Sequence, residues 1–229
     1  MYIAGLDLGK MQDYTALAII EGRGTTHEMQ RPVYRPGGLG GPLVQRMGCQ
    51  WVKVQGPPVM FAVRHLERWP LGTTYAGIAQ SVRHRMMQLG QPCALVIDAT
   101  GVGTAALELL RQEGLQPIPM VITAGRELAV GQDGAMLVPK TELVSAVAMA
   151  LQNGHLRIAR ELPLADVLAR ELGDFEMHVT ASANLVYGAR VGQHDDLVLA
   201  TALAIYAGNA AFRLPESLPP IMEPDAAPW

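Results

Sequence analysis

Four aspartates in this 229-residue sequence stand where packing would favour an apolar side chain. Asp7 ends the apolar run "YIAGLD", Asp98 ends "CALVID", and Asp195 and Asp196 open "DDLVLATALAIYAGNAA". A buried carboxylate without a partner is strongly disfavoured, so such groups persist when paired with a cation, neutralised or bound to a metal. Lys10 follows Asp7 closely, but "VIDATG" and "GQHDDLVLA" carry no adjacent lysine or arginine. Converging carboxylates of this kind suit hard divalent ions such as Mg²⁺ and Mn²⁺, which take oxygen ligands. A plainer reading exists for each position taken singly. Asp98, ahead of Thr100 and Gly101, suits a helix cap, and Asp195 suits an N-cap with Asp196 favourably near the helix dipole.

These residues must be positioned by the elements around them. "YIAGLDLG" and "TALAII" read as two strands joined by a tight turn at "KMQD", an antiparallel hairpin. From residue 22 to about residue 60, clusters such as "RPGGLGGP" and "QGPP" break every run, which predicts a glycine- and proline-rich excursion with one further strand around "QWVKV". "TTYAGIAQSVRHRMMQLG" has helical spacing and ends at Gly90. "CALVIDATG" reads as a strand buried on both faces, "GTAALELLRQEG" as a helix, and "LQPIPMVIT" as another buried strand. "PKTELVSAVAMALQNG" predicts a helix with Pro139 in its first turn and Gly154 closing it. "ELPLADVLARELGDF" predicts an amphipathic helix, "ANLVYGARV" a short strand-like piece and "DDLVLATALAIYAGNAA" a final apolar helix. Strands alternating with helices indicate an α/β layered fold, whose strand carboxyl ends line the crevice where ligands bind. One domain over residues 1–213 and a proline-rich tail over residues 214–229 follow from the composition.

The remaining composition excludes more than it suggests. No apolar run reaches the roughly 20 residues that span a bilayer, and the N-terminus lacks a secretory leader, so a cytoplasmic location is expected. Cys49 and Cys93 lie far apart without ligand-spaced neighbours, so they read as small buried hydrophobes. The net charge of −3 does not announce a nucleic-acid binder.

Taken together, "GLDLGKMQDYTALAII", "VRHLERWPLGTTYAGIAQSV", "LVIDATGVG", "VPKTELVSAVAMALQNGHLRI", "LARELGDF" and "GQHDDLVLATALA" resemble, in order, the C-terminal nuclease domain of the large terminase subunit of tailed bacteriophages. The resemblance implies an RNase H-like fold, with a mixed central sheet that opens on antiparallel strands and is flanked by helices. It also implies that acids on the first strand, the fourth strand and the last core helix hold two divalent cations, Mg²⁺ or Mn²⁺. The matching positions are Asp7, Asp98 and Asp196, with Asp195 as a further ligand and Asp13 and His194 in supporting places. The implied chemistry is endonucleolytic hydrolysis of double-stranded DNA when concatemeric viral genomes are cut for packaging. The implied partners are a packaging ATPase, a portal and a small terminase, in a host cytoplasm.

Phosphate contacts are assigned to Lys10, Lys140, Arg64, Arg83 and Arg85, within a cationic stretch that also holds His65, Arg68 and His84. A solvated helix face explains the stretch equally well, and His194 suits an orienting hydrogen bond as well as a ligand role. The ATPase phosphate loop G-x-x-x-x-G-K-[ST] is absent, since "GAMLVPKT" has Pro139 in place of its glycine. Three other enzyme readings meet the same residues. A sugar-kinase or actin-like ATPase needs a second domain and another phosphate motif. A dinucleotide fold uses Gly101, Gly103 and Ala106 but lacks the acid about 20 residues on. A RuvC-like Holliday-junction resolvase shares the acidic set. A DNA-binding or assembly module that keeps the acids for structure is the non-enzymatic alternative.

Overall fold

The computed structural model describes residues 1–9, 13–36, 44–101, 103–125, 127–131, 134–179, 194–211 and 221–222. The expected hairpin forms: β1 (Tyr2–Asp7) lies antiparallel to β2 (Thr15–Pro36), in register from Tyr2↔Glu21 to Asp7↔Ala16. β2 in turn pairs with β3 (Val44–Trp69), from Thr15↔Trp69 to Pro36↔Val44. On the other side of β1 lie three parallel neighbours in succession, β4 (Cys93–Asp98), β5 (Pro117–Thr123) and β7 (Met136–Pro139). β6 (Ala129–Val130) closes that edge, and β8 (Leu156–Ile158) closes the other beside β3. The resulting order is β6-β7-β5-β4-β1-β2-β3-β8.

Residues 22–36 and 44–60 depart from the expectation. They are not an interrupted excursion with one strand at "QWVKV". Instead, β2 and β3 run on as a two-stranded ribbon. Register shifts at Arg23/Gly24, Gly24/Thr26 and Val33/Tyr34 absorb the irregular residues. A two-stranded ribbon leaves most of its outer edges without strand partners, where proline is tolerated, and bulges accept glycine. "ANLVYGARV" lies outside the described residues. Within the stretch read as a tail, β9 (Ile221–Met222) pairs with Val33 and Tyr34.

Helices cover both faces of the sheet. One face packs against α1 (Tyr75–Leu89) and α2 (Gly103–Gln112), through Ala4, Leu6, Leu17, Leu95, Ile97, Ile78, Val82 and Leu110. The other packs against α3 (Lys140–Gln152), α4 (Ala165–Val179) and α5 (Asp196–Ala211). α1 starts at Thr74, whose hydroxyl accepts from Gly77 N at 3.2 Å, and stops at Gly90 with φ 61°. α5 is buried almost all round, with Leu197, Val198, Ala200, Leu203, Ala204 and Ile205 each at most 0 % exposed. A helix apolar on every side belongs in a core rather than on a surface.

Strand alternation decides which side each acid faces. On β1, Ala4 and Leu6 join the α1/α2 side, whereas Ile3 joins the α5 side. Gly5 and Asp7 therefore also face α5, because side chains alternate with a period of two. The same count on β4, with Val96 on the α5 side and Leu95 and Ile97 opposite, puts Asp98 on that side too. Gly5 is where the helix comes closest. A Cβ there would overlap the Ala200 carbonyl oxygen and stand 3.0 Å from the Ala200 carbonyl carbon and Ala204 N. Glycine thus permits the approach that brings the start of α5 over the end of β1.

Candidate active site

The parallel register Leu6↔Ile97 leaves Asp7 and Asp98 as the next residues on two adjacent strands. Together with Asp13, Thr100, Asp195 and Asp196 they line an open cavity of about 200 Å³. Each acid is held by local chemistry. Asp98 Oδ1 accepts from Thr100 N at 2.8 Å, and Thr100 Oγ1 accepts from Ile122 N at 2.8 Å, tying the turn after β4 to β5. The bond of Asp98 closes the turn ahead of α2 rather than capping the helix, and Asp98 also lines the cavity. The turn after β1 is pinned by Gly9 N donating to Thr15 Oγ1 at 3.1 Å and Tyr75 OH donating to Gly9 O at 3.1 Å. A Cβ on Gly9 would overlap the carbonyls of Asp13 and Tyr14, so the turn requires glycine. A second cavity, of about 380 Å³, adjoins the first at Gly9 and Asp13 and is lined further by Thr74, Tyr75 and Leu71.

The electrostatics record the crowding of carboxylates. Burial pushes the Asp7 carboxyl well above the usual range, and the negative charges of Asp98, Asp196 and Asp195 push it further, with Lys140 opposing. Burial pushes Asp196 up to about 6 despite the attraction of Arg68. Sequence adjacency suggested carboxylates without cations, and the fold corrects this. Lys140 Nζ stands 3.4 Å from Asp195 Oδ2, and the Arg68 guanidinium 3.5 Å from Asp196 Oδ2.

Two residues were missed as parts of the site. Glu171, on α4, pairs with Arg68 and accepts through Oε2 from Leu197 N at 3.1 Å and Val198 N at 3.3 Å. Glu171, rather than the side chain of Asp195, therefore serves these two N–H groups in the first turn of α5. The available signal was an acid inside an apolar stripe, since Glu171 falls between the buried Leu168 and Leu172 at helical spacing. In the sequence Arg68 reads only as part of a cationic stretch that suits phosphate contacts or a solvated face equally. Its guanidinium carbon actually lies 5.2 Å from the Tyr14 ring centroid, beside the buried acids. Tyr14 also meets His194 edge to face at 4.8 Å, and His194 Nδ1 stands 3.9 Å from Asp196 Oδ2.

The other proposed phosphate contacts lie elsewhere. Arg64 pairs with Glu21, Arg83 with Glu113 and Arg85 with Glu67, and none of the three lines the acidic cavity. Lys10 lies outside the described residues.

Residues 72–207, more than half of the chain, match the family model described as Terminase RNaseH-like domain. The chain belongs to that family. The matched span includes Asp98, Lys140, His194, Asp195 and Asp196, while Asp7 and Asp13 precede it. The terminase large subunits of Thermus phage G20c and Thermus virus P23-45 are each 30% identical over 121 residues, covering 52% of this chain. The match covers 22% of those relatives, so it spans about a fifth of their length. Among solved structures, the large terminase nuclease of phage G20c superposes with a TM-score of 0.53 at 22% identity, over 89% of this chain and 80% of that one. The Mn-soaked human cytomegalovirus terminase nuclease domain gives 0.52 at 13% identity, over 93% and 85%. At these identities the likeness establishes the fold, which is the RNase H-like fold of terminase nucleases.

Proposed function

We propose that this terminase family domain is a divalent-metal-dependent endonuclease that hydrolyses phosphodiesters of double-stranded DNA during viral genome packaging. The observation that carries the reading is Asp196. It is 4 % exposed, lines the acidic cavity with Asp7 and Asp98, and has a buried Oδ2 with no hydrogen-bond partner. A buried carboxylate set beside Asp7 and Asp98, which Arg68 approaches only to 3.5 Å without a hydrogen bond, fits a further cation better than it fits a folding role. Among the described residues, no three or more acid, histidine or cysteine side chains are gathered closely enough to hold an ion as they stand. The donor set nevertheless suits Mg²⁺ or Mn²⁺, being all oxygen and anionic. Asp7, Asp98, Asp195 and Asp196 would hold the ions, with Asp13 and His194 supporting them. Two divalent cations bound there supply activation of water and neutralisation of charge on the phosphate and departing oxygen.

The chain's own groups do the rest. Lys140 is placed by Pro139 at the start of α3, beside Asp195, where an ammonium can meet a phosphate oxygen. Lys10, Arg64, Arg83 and Arg85 would contribute sequence-independent, salt-sensitive contacts to the backbone of DNA. A packaging ATPase, portal and small terminase are the proposed partners, and a host cytoplasm the proposed setting. The test is incubation of the purified protein with supercoiled plasmid and Mn²⁺ or Mg²⁺, with and without chelator, beside Asp196→Ala. Nicking that needs the metal and vanishes in the variant supports the reading. Intact plasmid with wild type under either metal defeats it.

A further inference from the structure

Glu171 and Arg68 sit behind the acidic cavity and form a unit. Asp7, Ala16 and Arg68 are direct partners across β1, β2 and β3, as Asp7↔Ala16 and Ala16↔Arg68. Directly opposed residues of a ladder share a face. That row therefore places a carboxylate at one end, a guanidinium at the other and only a methyl group between them, under the start of α5. Glu171 completes the unit from α4. One of its oxygens takes the Arg68 guanidinium and the other takes the N–H groups of Leu197 and Val198, on either side of which α5 begins to turn.

The contacts divide in an informative way. Arg68 makes its hydrogen bond to Glu171, while its separation of 3.5 Å from Asp196 Oδ2 supplies charge without a hydrogen bond. The Tyr14 ring, 5.2 Å from the guanidinium carbon, flanks the cation. Glu171 thus keeps two donors occupied, the arginine and the first turn of the helix, that would otherwise compete for or displace Asp196.

We propose that Glu171 and Arg68 are a positioning pair in which Glu171 fixes the first turn of α5 and holds the Arg68 guanidinium off Asp196, leaving that carboxylate without a hydrogen-bonded cation at the cavity wall. The assignment rests on the nuclease reading for what that carboxylate is used for, but the hold on α5 is independent of it. Residues that orient a metal ligand from behind typically change metal affinity by about 10–100-fold when altered.

The test uses Glu171→Gln, which keeps an amide oxygen for the helix N–H groups but releases the arginine, together with Arg68→Ala/Glu171→Gln. Mn²⁺ affinity is measured by calorimetry, and amide exchange at Leu197 and Val198 is measured without metal. Glu171→Gln is expected to weaken Mn²⁺ binding about tenfold or more, because the released guanidinium pairs with Asp196. The double variant is expected to recover affinity, because no guanidinium remains to do so. Amide exchange at Leu197 and Val198 is expected to accelerate in Glu171→Gln and, further, in Glu171→Ala. A melting temperature that falls while Mn²⁺ affinity stays at the wild-type value would reduce the pair to a structural role and overturn the proposal. Unchanged exchange at both amides in Glu171→Ala would overturn it as well. Wild type that binds no Mn²⁺ but shows accelerated exchange in the variants would instead defeat the nuclease reading and support the hold on α5.

Discussion

Replacing Gly5 by alanine adds one methyl group at the point where α5 rests on β1. The new Cβ would overlap the Ala200 carbonyl oxygen and stand 3.0 Å from Ala204 N, so the obstruction is helix backbone rather than the tip of a flexible side chain. Restoring ordinary van der Waals separation requires α5 to retreat by about 1.5 Å. Overpacking a close-packed core costs about 1–3 kcal/mol, and a backbone obstruction belongs at the upper end. For a chain of this size about 3 kcal/mol corresponds to a fall in Tm of roughly 6–12 °C. The same retreat carries Asp196 away from Asp7, and a misplacement of about 1 Å can cost a factor of about 100 in rate. Differential scanning fluorimetry and plasmid nicking at a temperature where both proteins are folded read the two effects separately. Gly173→Ala serves as the control, because nothing lies within 4 Å of a Cβ there and the site is inside α4. It should gain about 0.5–1 kcal/mol. Gly5→Ala melting within a degree of wild type, or nicking at the wild-type rate, would refute the close approach as the device that assembles the site.

Three further outcomes follow from the same geometry. Asp196, pushed up to about 6, and Asp7, also raised, bind protons more tightly in the native than in the unfolded chain. The stability this confers is full below the ordinary carboxylate range near pH 4 and is lost as pH rises through about 6. The chelated protein should therefore melt higher at pH 5 than at pH 7.5, and added Mn²⁺ should stabilise it increasingly over the same interval; a flat response to metal across that interval would contradict it. Asp7→Asn removes a buried charge beside three others, so its metal-free Tm should rise while nicking falls to background; a lower Tm would show that Asp7 supports the fold. Thr74→Ala removes the α1 cap at the cost of about 1 kcal/mol, or roughly 2–4 °C, and should leave the metal affinity as it is, which calorimetry checks.

The long helices and the buried strands were legible in the sequence because their signals are local. "YAGIAQSVRHRMMQL" has a threonine before it and a glycine after it, and "CALVID" is apolar from end to end. The acids were legible for the same reason, each being a charge set against an apolar run. What was not legible depends on residues distant in the chain. Arg68 reaches Glu171 across 103 positions, and Lys140 reaches Asp195 across 55, so no window of sequence contains either pair. The ribbon escaped notice because its prolines and glycines read as breaks when each strand is taken alone. Only the pairing of Gly24 with Pro58 and Pro32 with Cys49 makes them tolerable. β7 and β8, at four and three residues, are too short for an alternation to show.

The order in which the acids occur along the chain has a consequence during synthesis. Asp7 and Asp98 belong to adjacent strands that precede α5 in the chain, whereas Asp196 sits on α5, the last of the helices among the described residues. The helix is also the plug of its side of the core, apolar on every face. A chain still emerging from a ribosome before that point therefore holds Asp7 and Asp98 without Asp195 and Asp196, and an uncovered sheet. Completion of the hydrophobic layer and assembly of the acidic cavity are therefore one event, and a partly made chain leaves an apolar face of the sheet uncovered for chaperones and proteases to meet.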